Sequence, residues 1–134
     1  MKKLLYLIIT LLIIAIVAYF VVLSLPKASI KGNDAAFTVT AVDLYADFEK
    51  NEKRANRKYI GQTISVEGTI SEIDTDKNGS VVLFLDSDNA INGILCTFEP
   101  SQKRDFKLKE SVKIKGLCTG FLQDVVLNKC VVVE

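Results

Sequence analysis

The chain of 134 residues has no histidine and no tryptophan, one methionine, two prolines and three cysteines. Without histidine there is no Ser–His–Asp or Cys–His relay, no HExxH zinc site and no imidazole proton shuttle. Three cysteines fall short of a Cys₄ metal site, and none of them forms a CxxC dithiol. An excess of one charge is also lacking. Seventeen Lys and Arg face 16 Asp and Glu, which is not the composition of a strongly basic polyanion binder. No carboxylate pair is placed for acid–base work and no Gly-rich phosphate loop occurs. An enzyme is not expected, nor a cofactor or a metal.

What is present is unevenly spread. From Leu4 to Leu25 only Thr10 and Ser24 are clearly polar and nothing is charged. As a helix this stretch would extend about 33 Å, enough for a bilayer core of about 30 Å. Lys2 and Lys3 precede it, and basic flanks stay inside. The expectation is a single transmembrane helix over residues 1–25 with its N-terminus inside, a linker over 26–36, and a domain outside over 37–134. A cleaved signal peptide and a buried core helix are the alternatives. Residues 26–134 carry 15 basic and 16 acidic side chains, so their field should steer polyanions little.

Thr40-Ala41-Val42-Asp43 resembles a capping box, and Ala41, Leu44, Tyr45, Phe48, Ala55 and Tyr59 follow helical spacing. The helix can be re-capped at Asn51 and should end before Gly61. Its other face carries Lys50, Lys53, Arg54, Arg57 and Lys58, a solvated surface or a contact for anionic head groups. After Gly61 the period becomes two. Ile64, Val66, Gly68 and Ile70 alternate with polar residues as in a half-buried strand, and Gly68 with Ile73 suggests a bulge. Asp74–Gly79 is a turn, and Ser80–Leu85 and Gly93–Glu99 are strands. Pro100–Lys109 suits a short helix or turn with Phe106 and Leu108 inward. Val112–Cys118 and Val125–Val133 are the last strands. The expected class is mainly β with an N-terminal helix. Five strands with a connection between the third and fourth is the order of an OB-fold, a five-stranded Greek-key barrel.

Tyr59–Gly68, Ile94–Phe98, Val112–Gly120 and Asp124–Cys130 together resemble the opening, third-strand and closing motifs of the bacterial tRNA_anti-like OB-fold family. The resemblance covers Thr40 to Glu134, with Gln62 where the family usually has Lys. It implies a bacterial envelope setting, here a single-pass inner-membrane protein with its C-terminal domain extracytoplasmic. It also implies nucleic-acid binding, by analogy with anticodon-binding domains of the same fold. A structural or protein-interaction module of the envelope is the alternative. The expected partners are therefore the membrane and either a single-stranded nucleic acid or an envelope protein.

Phe84 with Lys103, Arg104, Lys107, Lys113 and Lys115 could form a groove that stacks bases and tracks phosphates; the plain reading of these residues is a solvated surface. Cys118 and Cys130 lie symmetrically about Asp124. A hairpin centred there would set them opposite, as a disulfide or as two packed thiols. Cys96 shares the parity of Ile94 and Phe98 and reads as core. Asp74, Asp76 and Asn78 match half of a calcium loop, but Leu85 stands where its final Glu would be, so a hairpin turn is the simpler reading.

Overall fold

The computed structural model describes residues 2–24, 34–89, 91–102 and 104–133. The element order is α1 (Lys2–Ser24), β1 (Phe37–Thr40), α2 (Ala41–Lys50), α3 (Glu52–Tyr59), β2 (Thr63–Thr75), β3 (Val81–Asp86), β4 (Gly93–Phe98), β5 (Ser111–Phe121) and β6 (Val125–Val132). The strands run β1-β2-β3-β4-β6-β5, and β2 pairs again with β5. That second pairing closes β2 to β6 into the five-stranded barrel of an OB-fold.

The expected transmembrane helix is corrected here. Among the described residues no helix is long and apolar enough to cross a membrane. The single-pass inner-membrane placement falls with it. Most of the expected linker, and Lys103, lie outside the described residues.

Strand β2 closes the barrel because it serves two of the barrel's strands. Residues 63–69 pair with β5 and residues 70–75 with β3, with a register shift between Ile70 and Glu72. Gly68 sits at the bend. A Cβ there would come 2.9 Å from that of Ala41 and 3.3 Å from that of Leu85. The inward positions Ile64, Val66, Ile70, Leu83, Leu85, Ile94, Cys96, Phe98, Ile114, Cys118, Leu127 and Cys130 are all buried.

Helix α2 caps one barrel end with Leu44, Tyr45 and Phe48. The Thr40 hydroxyl accepts from the Asp43 amide at 3.1 Å and starts the helix. Asn51 ends α2 and its side chain caps α3 by accepting from the Arg54 amide at 3.0 Å. Phe48 stacks on Tyr59 and on Phe121, with ring centroids 5.8 and 5.1 Å apart. β1, a four-residue strand parallel to β2, was not legible as a strand in the sequence. The segment from Ser101 to Lys109 forms turns among its described residues rather than a helix. Phe106 packs on Phe98 as expected, but Leu108 faces solvent.

Candidate ligand-binding cleft

The outward face of β2, β3 and β4 is set by the same period-two alternation that fills the core. Glu72 pairs with Phe84, Phe84 with Leu95, and Leu95 with Val126, so the four form one row across the sheet. Asp74, Val82 and Thr97 form the next row. Phe84 is half-buried, whereas Glu72 and Asp74 are exposed. The face is thus apolar at its centre and acidic along β2.

A cleft of about 400 Å³ opens at one end of this face, lined by Ser71, Glu72, Phe84, Asp86, Asn92 and Asp124 among others. Its wall is the β3–β4 loop, which braces itself. The Asp86 carboxylate accepts from the Asp88 amide at 3.0 Å, and Asn89 Oδ1 accepts from the Ile91 and Asn92 amides at 3.1 and 3.3 Å. Ser87 Oγ donates to the Asn92 carbonyl at 2.5 Å. Asp88 takes a left-handed backbone, φ 60°, a conformation Asp tolerates better than most residues. Gly93 is required, because a Cβ there would run into the Leu85 carbonyl oxygen. The Gly93 amide donates to Asp124 Oδ1 at 2.7 Å, which ties the β5–β6 loop to this wall. Two large aliphatic side chains stand free at the same end: Ile91 is 89% and Leu122 91% exposed.

The structure does not gather the basic residues around Phe84. Lys113 and Lys115 lie opposite Glu67 and Ser65 in the β2–β5 ladder, and β5 borders neither β3 nor β4. Arg104 pairs with Glu110 at 3.6 Å and lies over the Phe106 ring at 5.7 Å. The Lys107 amide donates to Glu110 Oε2 at 3.0 Å. No Lys or Arg lines the Phe84 cleft among the described residues. Glu72 and Asp124, which line it together with Asp86, were not singled out as site residues in the sequence. Their grouping depends on the β2 bend and on the two loops meeting.

The Cys118–Cys130 bridge is not formed: all three cysteines are free and buried. Cys118 lies opposite Leu127, because the hairpin turns about Gln123, with Phe121 opposite Val125, and a register shift between Cys118 and Gly120 moves the pairing one residue further. Burial pushes the Cys118 thiol up to about 11 and the Cys130 thiol well above its ordinary value, the latter helped by neighbouring Cys96. Neither is a nucleophile at neutral pH. In the β2–β3 turn, Asp76 Oδ1 accepts from the Asn78 and Ser80 amides at 2.8 and 2.9 Å, and these bonds lower its pKa. That carboxylate closes a hairpin turn.

The closed five-stranded barrel places the protein in the OB-fold class. The sequence matches the tRNA_anti-like family over residues 1–132, and the chain belongs to that family. Among solved structures it is similar to a lipoprotein from Klebsiella pneumoniae subsp. pneumoniae, provisionally named as nucleic acid-binding. The two share 19% identity with a TM-score of 0.59, over 72% of this chain and 91% of the other. Among curated proteins none matches.

Proposed function

We propose that the protein binds single-stranded nucleic acid by taking an unstacked base at the Phe84 cleft. The observation that carries this is the ring itself, half-buried on the outward face of a closed OB barrel beside a braced cleft of about 400 Å³. An aromatic face gives any base a stacking partner, worth about 1–3 kcal/mol per base. Glu72 and Asp86 are positioned to accept from base-edge amino groups, as carboxylates do toward cytosine. Family membership and the name of the Klebsiella lipoprotein support the same reading.

The absence of cations from the described lining sets the mode of binding. Phosphate contacts release counterions and make affinity fall steeply with salt. A base held by stacking and carboxylates beside a strand kept away from the acids should bind modestly, with little salt dependence. The test is a titration of the full chain with fluorescent oligo-dC and oligo-dT, using wild type and Phe84→Ala. Binding that weakens about tenfold in the variant, with the fold intact by circular dichroism, supports the reading. Equal binding by the variant removes Phe84 from the site.

A second reading rests on Ile91 and Leu122. Two exposed aliphatic side chains on loops tied together at an acidic cleft suit a protein partner that offers an apolar and a basic residue. This reading makes the domain an interaction module of the bacterial envelope. It takes precedence if neither oligonucleotide binds.

A further inference from the structure

A second cleft, on the far side of α2 from the core, has the opposite charge. We infer that the α2–α3 elbow is a binding site for a phosphoryl oxyanion. Lys50 is the last residue of α2, and Arg54 and Lys58, four apart, stand on one side of α3. With Asp47, Asn51 and Ala55 they line a cleft of about 330 Å³.

The acid in this cleft is already engaged. Tyr59 Oη donates to Asp47 Oδ2 at 2.6 Å, and Lys58 Nζ donates to the same oxygen at 3.2 Å. The Tyr59 hydroxyl and Lys58 hold the Asp47 carboxyl below its ordinary value, so it is ionised and matched by Lys58. Lys58 is further fixed over the Tyr59 and Phe37 rings, 4.5 and 5.6 Å from their centroids. Lys50 and Arg54 remain, and neither has an ion-pair partner among the described residues.

One guanidinium fork and one ammonium beside a neutralised pair leave a net charge near +2 facing the opening. Arg suits a tetrahedral oxyanion because its planar fork can donate two parallel hydrogen bonds, while Lys adds a point charge. The elbow holds the two close because Asn51 both ends α2 and caps α3. The chemistry fits a phosphate monoester or diester, whether free or on a lipid head group.

The test uses the full chain in neutral detergent, with inorganic pyrophosphate followed by amide NMR shifts. Lys50→Gln/Arg54→Gln is compared with Lys53→Gln/Arg57→Gln, which removes equal charge from the adjacent stripe of α3. Saturable shifts centred on residues 50–58, weakened at least tenfold in the first variant and little in the second, support a site for free phosphate. A parallel arm measures binding to phosphatidylglycerol over phosphatidylcholine vesicles. A preference lost only in the first variant, without a pyrophosphate response, supports a head-group ligand. No response in either arm, or equal loss in both variants, overturns the proposal.

Discussion

The Phe84 cleft and the α2–α3 elbow are of similar size, yet they are built on opposite principles. The first is a half-buried ring with Glu72, Asp86 and Asp124 around it. The second is a set of cations whose single acid is internally matched. The sequence as a whole is nearly neutral, with a formal net charge of +1, although these two regions carry opposite charge. Net charge therefore describes this protein poorly, and local placement decides what each surface can bind. The two regions also differ in support. The cleft stands on strands and a self-braced loop, whereas the elbow stands on two short helices held by the aromatic contacts of Phe48 and Tyr59.

Removing the support of the elbow should have the largest effect. Phe48 is 1% exposed and stacks on both Tyr59 and Phe121. Phe48→Ala should cost about 3–5 kcal/mol, the usual range for a truncated core ring, read by urea unfolding. Next comes crowding the barrel away from both surfaces. A Cβ on Gly116 would lie 2.7 Å from Cys130 Sγ and 3.2 Å from Leu127 Cβ. Gly116→Ala should therefore destabilise by about 1–3 kcal/mol, as overpacking does, with oligonucleotide binding retained in the folded fraction. Phe84→Ala should separate the regions: affinity for oligonucleotides should fall by about 1–3 kcal/mol, while the pyrophosphate response of the elbow stays.

The smallest effect is on pH dependence. The Asp47 carboxyl is held below 3.8, chiefly by the Tyr59 hydroxyl and then by Lys58. As pH falls the unfolded chain takes up this proton first, so the contribution is complete above pH 3.8 and is lost as pH drops through the lower folded value. Asp47→Asn should accordingly flatten the acid limb of a stability–pH curve below about pH 4. Asp47 is largely solvated, so the change should be under about 1 kcal/mol.

Much of the barrel was legible because its signal is local. Alternation from Ile64 to Ile70, the break at Ile73 and the turn at Asn78-Gly79 mark strands and a bulge without knowledge of partners. Asn51 was legible as a cap for the same reason. β1 was not, since four residues pairing in parallel with Ile64–Glu67 have no local signature. The hairpin holding Cys118 and Cys130 looked symmetric about Asp124, but it turns about Gln123, with Phe121 opposite Val125, and a register shift between Cys118 and Gly120 then places Leu127 opposite Cys118. The candidate groove failed to assemble for a topological reason. Phe84 and Lys113 alternate correctly within their own strands, but their faces meet only if β3 and β5 are neighbours, and they are not. The apolar N-terminal stretch led to a transmembrane assignment that the described residues do not sustain.

The central claim is that the Phe84 cleft binds a base without phosphate contacts. The most direct test is the salt dependence of oligo-dC binding to the full chain from 20 to 200 mM NaCl, with Phe84→Ala alongside. The account predicts a nearly flat plot of log affinity against log salt for the wild type, and a uniform drop in the variant. A steep negative slope that Phe84→Ala leaves unchanged would place the nucleic acid on cations elsewhere and contradict it.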